Sequence, residues 1–414
     1  MSYKKIKNMT AAILLGCAVL SQSCTSWLDI TPEAQVNDKK IFSTPQGFKD
    51  VLNGIYITAS GEKLYANNLL FGFTDVLAQY YAIPDETHEF AQLAKYQYKD
   101  VNISPKIDEM WLELYFCIAN CNILLERLEE VGPDFFEDER TYYILHGEAR
   151  ALRAFFHFDL LRLFAPYDFS SEAKPAIPYV KEARPAIAPQ LTPAKFVEYA
   201  LEDVNAAIAL LKEDPILTGK DITGMDNGYL ANRNFHLNYY AAVGLKARIC
   251  LYAGNTKDAY DAANEVILAQ QNSDLFPWVK TEDITTTTIE LRDRTFSTEH
   301  LFAFNTNKLG EYIKGYFRET SIPLISRILP AELYEPDDYR NALYEIYSGS
   351  ANVLTKFWQL ESVYVSSQGL VRPKRDRMPG IRIAEMYYIA TEALKDSNIG
   401  EAITTLNMLR AYRG

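Results

Sequence analysis

Cys24 is the residue of this chain whose chemistry can be named first. Ser21 and Ser23 lie just before it, behind an apolar stretch from Met9 to Leu20, and Lys4, Lys5 and Lys7 open the chain. A basic start, an apolar run too short to cross a bilayer and small residues before a thiol mark a secretory leader whose cysteine is acylated. The thiol would carry diacylglycerol and the freed amine a further acyl chain, and two or three chains hold a protein stably where one does not. Cys17, after Leu14-Leu15-Gly16, has the better local context. Cleavage there would leave an apolar run of only about seven residues, so Cys24 is preferred. Residues 1–23 are therefore read as a signal peptide and the mature chain as 24–414.

The other chemistry-bearing residues form no reactive set. Cys117 and Cys121 stand four apart within a predicted helix and Cys250 stands alone. That is poor geometry for a bridge and too few ligands for a metal, so all three read as small apolar packing residues. The histidines, His88, His146, His157, His236 and His300, share no ligand spacing. No His-Glu-x-x-His pair and no Gly-x-Ser-x-Gly elbow occurs, and Gly219-Lys220 lacks the glycine and hydroxyl of a phosphate loop. No catalytic residue, metal or cofactor is expected. The paired carboxylates of a glycosidase leave no local motif, so a surface hydrolase stays as the remote alternative. Arg372, Lys374, Arg375 and Arg377 form a basic cluster that reads as a solvated loop around Asp376, with an anionic-ligand contact as the sharper reading.

Charge narrows the partners. With 54 acidic against 42 basic residues the net charge is −12, and the leader contributes three lysines and no acid, so the mature chain is more acidic still. Such a surface repels nucleic acid, and none is expected as a partner. Aromatic residues make up 13% of the chain, with 28 Tyr against 21 Phe; the Tyr excess suits half-exposed binding surfaces, because the ring keeps a polar tip.

Long amphipathic helices must position whatever binds. Ser104-Pro105 predicts a helix start, and Ile107, Trp111, Leu114, Ile118, Cys121, Leu125 and Leu128 continue it as one apolar stripe. Residues from about 138 to 165 predict a second helix with Tyr142, Leu145, Ala149, Leu152, Phe156 and Leu163 on one face. Thr192-Pro193 opens a third, and Thr44-Pro45 an earlier one. Between the second and third, Pro166, Pro175, Pro178, Pro185 and Pro189 predict an extended stretch that wraps over the helices. Two helical hairpins then repeat: Ala247 and Leu251, Gly254-Asn255, then Ala259, Ala263 and Val266 match Ala390 and Leu394, Ser397-Asn398, then Ala402, Leu406 and Leu409, position for position. Residues 272–380 lack helical periodicity and predict loops with short strands and helices, where binding surfaces usually sit.

Taken together, the residues resemble the SusD/RagB family of surface lipoproteins of Bacteroidetes. Cys24-Thr-Ser-Trp27-Leu28-Asp29 with Thr31-Pro32 is similar to the family's opening. Glu148-Ala-Arg150-Ala-Leu-Arg153-Ala-Phe155-Phe156-His-Phe158-Asp159-Leu160 resembles its second long helix, and Trp111 with Leu114-Tyr115 and Ala119-Asn120 fits the helix before it. Ile381-Arg382-Ile383-Ala384-Glu385-Met386-Tyr387 through Ala393 resembles its late motif. The resemblance implies a mainly α fold with a tetratricopeptide-like helical-hairpin scaffold and an irregular, loop-rich insertion: helices over 40–270, a binding insertion over 272–380 and a final hairpin over 381–414. It also implies an outer-membrane, lipid-anchored address facing the exterior. Its partners would be a TonB-dependent barrel of the SusC type and an oligosaccharide or polysaccharide captured for import, with peptide or glycopeptide capture as in RagB-like members the alternative. Family members usually continue past the helix ending near Arg413, so a missing C-terminal segment and an exposed apolar face on the last hairpin are expected here.

The sugar reading sets what a site must contain. Covering about 100 Å² of sugar face gives roughly 2.5 kcal/mol, short of the roughly 4 kcal/mol of millimolar binding, so several aromatic platforms flanked by polar groups are needed. Two regions could supply them: Asp75, Gln79, Tyr80 and Tyr81, with the polar loop that follows, and Trp278, Tyr312, Tyr316 and Phe317 in the insertion. Core packing is the competing role for each aromatic, above all for Trp111.

Overall fold

Small residues and paired charges let one long helix pass through the middle of this protein. A computed structural model describes residues 40–83, 85–183, 187–218, 229–317, 324–346, 352–358, 363–365, 369–371 and 376–414. Cys24 with the leader, and Arg372, Lys374 and Arg375 of the basic cluster, lie outside them. The chain divides into residues 1–47 and 48–414; the following concerns the second unit, apart from the start of the first helix.

Helix α1 (Pro45–Ala59) buries Phe48, Leu52, Ile55 and Ala59, a stripe at helical spacing. Two short helices follow, α2 (Phe73–Leu77) and α3 (Ala91–Ala94), with a two-residue strand β1 (Tyr81–Ala82) between them. The first long helix, α4 (Ser104–Val131), starts one residue earlier than Ser104-Pro105 suggests. The Ser104 N–H is taken by the Asp100 carbonyl at 2.9 Å, so Ile103 flanks the helix and no side chain caps it. The predicted stripe is buried from Leu114 to Leu128, whereas Trp111 is half-buried, edge-on to Phe164 at 5.0 Å.

Helix α5 (Glu139–Phe164) is buried nearly all round between Thr141 and Leu161, not on one face. At Gly147 a Cβ would come within 2.6 Å of the Leu211 side chain, so only glycine allows that approach. Its charges are buried in pairs. Arg153 donates to both Asp203 oxygens at 2.6 and 2.8 Å, and to Asn122 Oδ1 at 2.9 Å. Glu148 meets Arg233 at 2.6 Å and accepts from Tyr56 at 2.8 Å, while Arg233 also grips Asp214.

The proline-rich stretch wraps over these helices, as expected, in its described part. Strands β2 (Ile177–Pro178) and β3 (Gln190–Leu191) pair antiparallel within it. Its carbonyls find donors on the helices, as buried backbone groups must: Tyr115 donates to Pro178 at 2.8 Å and Asn122 to Val180 and Glu182 at 3.1 Å. His157 accepts from the Val180 N–H at 2.9 Å through Nε2, so its Nδ1–H donates to the Arg153 carbonyl. That tautomer is neutral, and burial pushes the ring down to about 3.

Helix α6 (Pro193–Leu210) is capped by Thr192, as predicted. Then α7 (Tyr239–Tyr252) and α8 (Thr256–Asn272) form the first repeated hairpin, turning at Gly254, whose φ of +77° suits glycine. In the insertion lie α9 (Thr281–Thr285), β4 (His300–Asn305), α10 (Leu309–Phe317), β5 (Ile325–Ser326), α11 (Pro330–Leu333), β6 (Tyr344–Ile346), β7 (Asn352–Leu354), β8 (Val363–Val365), β9 (Gly369–Val371) and β10 (Arg377–Arg382). β4 and β10 pair through the core, and a small sheet runs in the order β1-β5-β7-β6. The second hairpin, α12 (Ile383–Leu394) and α13 (Ile399–Arg410), follows.

The two hairpins match down to their caps. Asn255 accepts from the Asp258 N–H and donates to the Asp258 carboxylate, and Asn398 does the same with Glu401. α8 packs on α12, and Tyr387 donates to Gln270 across that contact at 2.9 Å. Paired helices stacked on paired helices are the tetratricopeptide-like scaffold that the repeat predicts. On α13, Ile399, Ile403 and Met408 are exposed. Cys117, Cys121 and Cys250 are buried and unbridged, and burial pushes Cys117 to about 12 and Cys250 to about 11, as fits packing residues.

Two outcomes follow from the buried charges. Asp203→Ala strands the Arg153 guanidinium in the interior and should cost about 3–5 kcal/mol in urea unfolding; a loss under 1 kcal/mol contradicts that role. Burial holds His146 near 4 and His157 near 3, both below the ordinary 6.5. Their contribution is therefore present above pH 6.5 and lost as the pH falls through those values. Burial alone would raise Glu148, but Arg233 and His236 bring it to about 2, so its contribution is lost between about 4.5 and 2. The urea midpoint should decline steadily from pH 6.5 downward, and a midpoint unchanged between pH 7 and pH 4 would refute this.

Candidate functional site

Strand pairing brings the two predicted regions together. β1 pairs antiparallel with β5, Tyr81 opposite Ser326 and Ala82 opposite Ile325, and the Arg327 N–H donates to the Tyr80 carbonyl at 2.9 Å. The loop after α2 thus becomes the edge of the insertion's sheet. Gln79 turns the chain there with φ of +61°, a conformation that costs a non-glycine residue energy. Its side chain holds the turn by donating to the carbonyls of Val76 at 3.3 Å and Ala94 at 3.0 Å.

Asp75 lies at the centre of the polar part. It is ion-paired with Lys356 and accepts from the Tyr81 hydroxyl at 3.1 Å. Tyr81 is only 1% exposed, and burial with the Asp75 charge pushes its phenol well up. Tyr80, next to it, is 48% exposed, with the Lys356 ammonium 5.0 Å from its ring centre.

Tyr316 and Phe317 of α10 pack behind this surface. Phe317 is buried against Phe71 at 5.7 Å and Tyr81 at 6.1 Å. Tyr316 stacks on Phe90 at 5.7 Å and accepts from Asn67 at 3.2 Å. Tyr312 is half-buried on the same helix. Trp278 belongs elsewhere: it stacks on Tyr412 at 5.0 Å, leans on Tyr387 at 5.2 Å and lies under Arg413, lining a cleft of about 580 Å³ beside the last hairpin. Of the eight predicted residues, Tyr80 offers an open aromatic face, whereas Gln79, Tyr81 and Phe317 build the frame.

Four further tyrosines accompany Tyr80, two of them new and two, Tyr96 and Tyr98, on the polar loop already expected to take part. Tyr334 and Tyr344 lie 6.3 Å apart, both half-buried, and both bear electrostatically on the Tyr80 neighbourhood: Tyr80 is pushed up by burial, then Asp75, then Tyr334. Arg340 covers the Tyr334 ring at 4.4 Å and is itself forked to Asp338. Beside them runs a groove of about 780 Å³ lined by Leu333, Tyr334, Glu335, Arg340 and Asn352. Tyr96 and Tyr98, nearly half exposed and 6.4 Å apart, stand on the loop after α3. Tyr96 also has positive φ, and its hydroxyl donates to the Leu77 carbonyl at 3.2 Å, tying that loop to the end of α2. No periodicity marks these residues; the clustering of Tyr and Gln over 79–98 is the one sequence signal.

Chemically the surface offers flat aromatic faces ringed by planar polar groups that are already paired. Such a surface stacks on apolar faces and exchanges hydrogen bonds with hydroxyls. Among the described residues no group of three or more His, Cys, Asp or Glu could hold a metal ion, and no helix is long and apolar enough to cross a membrane.

Comparison with known proteins points the same way. Residues 26–219 match the SusD-like family model described as starch-binding and associating with the outer membrane. The chain is 24% identical over 275 residues to the SusD-like protein P38 of Formosa agariphila, covering 65% of this chain and 47% of that protein. It thus spans about half the length of this curated relative. Among solved structures, a proposed sugar-binding protein from Bacteroides vulgatus superposes with a TM-score of 0.71 at 23% identity, over 90% of this chain and 78% of the other. A laminarin-binding SusD-like protein superposes with a TM-score of 0.61 at 18% identity, over 89% and 84%. The helical-hairpin fold with its sheet-bearing insertion is the fold of these solved structures, and over residues 26–219 the sequence is similar to the SusD-like family.

Proposed function

We propose that this chain is a cell-surface glycan-binding lipoprotein that captures oligosaccharide and passes it to a TonB-dependent outer-membrane barrel of the SusC type. The observation that carries the reading is the open Tyr80 ring, held over the Asp75–Lys356 pair at the sheet edge next to Tyr334 and Tyr344. Stacking on several such faces gives modest affinity per sugar, and repetition along a polymer raises it. The glycan vocabulary of the family model and of the laminarin-binding neighbour supports the same class. Trp278, beside the last hairpin, serves in this reading as packing against Tyr412. The anchor is Cys24, supported by the basic, apolar and small residues before it. The 24–414 region works as one SusD-like domain, bound by its lipid to the outer membrane and facing the exterior.

The test is affinity electrophoresis and calorimetry of the mature domain against laminarin, starch, and other plant, host and microbial polysaccharides, with a peptide panel alongside. At least one glycan should be retarded. Tyr80→Ala with Tyr334→Ala should weaken it about tenfold or more while the melting temperature stays within a few degrees, since Tyr80 is half exposed. Binding of peptides alone would replace the glycan reading with peptide capture, and glycan binding untouched by the double variant would refute the placement. Reducing sugar released from a bound polysaccharide would make the protein a hydrolase.

A further inference from the structure

A second cavity, about 400 Å³, opens between the C-terminal half of α5, the chain before α2, and the junction of β10 with α12. That volume is far above the roughly 30 Å³ share of one water and lies within the roughly 300–1,000 Å³ range of small-ligand pockets. None of the tyrosines of the exposed surface lines it.

Its charged groups are two carboxylates and two guanidiniums. Asp159, nearly buried, accepts the Tyr65 hydroxyl and is ion-paired with Arg162. Across the cavity Arg248 holds Glu385 with Nε and Nη2 at 2.6 and 2.7 Å, and Nη2 also donates to the Gly380 carbonyl at 2.9 Å. Arg248 Nη1 makes no hydrogen bond among the described residues, and neither do Nε and Nη1 of Arg162. The walls are Tyr65, itself stacked on Phe304 at 4.3 Å, and Phe155 beneath the Arg248 guanidinium, with Leu70 and Leu163.

The charges cancel, and this selects the ligand. An anion entering would meet Asp159 and Glu385, and a cation would meet Arg162 and Arg248, each at a desolvation cost that the opposite partner already offsets. A vicinal diol meets no such penalty, because each hydroxyl both donates and accepts: it takes the spare N–H groups and gives to the spare carboxylate lone pairs. The aromatic and leucine walls match the C–H side of the ring. We propose that this cavity is a second binding site, separate from the exposed aromatic surface, that takes one neutral sugar unit.

The test uses the full chain, with saturation-transfer NMR and calorimetry against glucose, galactose and mannose, and against glucuronate and glucosamine as charged counterparts. At least one neutral hexose should bind with a Kd on the order of 1 mM, and its charged counterpart about tenfold more weakly. Leu70→Trp, which fills the cavity without removing a polar partner, should abolish the signal. Arg162→Lys, which keeps a cation beside Asp159 but removes the spare Nε and Nη1 donors, should weaken it about tenfold with circular dichroism unchanged, and carries the decision if Leu70→Trp fails to fold. The proposal is overturned if no neutral hexose binds, if glucuronate or glucosamine binds as tightly, or if the hexose signal survives in both folded variants.

Discussion

An ion buried in a protein interior is tolerable only beside its counter-ion, and α5 carries Glu148, Arg153 and Asp159 through the middle of this fold. Asp159 has its counter-ion Arg162 on the same helix, while the other partners come from elsewhere. Asp203 comes from α6, Arg233 and Asp214 from the segment before α7, and Tyr56 from α1. Each of these other pairs therefore fixes a distant stretch of chain against the central helix. Apolar contacts alone would let these elements slide with little penalty, whereas a shift of one helical turn would leave several charges unpartnered. The pairs thus contribute register more than net stability.

This fixed centre bears on the proposed glycan surface through the loops it anchors. Residues Gln79 and Tyr96 are held in left-handed backbone, and each is secured by a side-chain bond to a carbonyl on the other loop's side: Gln79 to Ala94, Tyr96 to Leu77. Strain of about 1–3 kcal/mol per residue persists only where the surroundings over-determine it. Here α2, α3 and the β1–β5 pairing do so, and the consequence is that Tyr80, Tyr96 and Tyr98 are presented outward on a stiff support. An aromatic face pre-set in this way loses little conformational freedom when a sugar stacks on it.

What was legible in the sequence follows from range. The apolar stripe from Leu114 to Leu128 and the matched caps Asn255 and Asn398 are local patterns, and they predict α4 and the two hairpins nearly to the residue. The all-round burial of α5 was not readable, because Arg153 and Glu148 look like surface residues until Asp203 and Arg233 are known to face them. The candidate surface was half legible. Asp75 to Tyr81 stood out by type, but β1 and β5 are two residues each, too short to leave a period, so nothing in the sequence announced that Tyr334 and Tyr344 would join them. Trp278 was drawn away by Tyr412 and Arg413, at the far end of the chain.

The same pairing that builds the core also decides what the surface chemistry can be. Proton transfer needs an acid or base left available at the reacting atom. Around Tyr80 the Asp75 carboxylate is taken by Lys356 and Tyr81, and beside Tyr334 the Asp338 carboxylate is taken by Arg340. Drawing either into catalysis would mean breaking a charge pair first. Left in place, the pairs offer fixed donors and acceptors around open rings, which is the arrangement that the proposed capture of a hydroxyl-rich ligand needs.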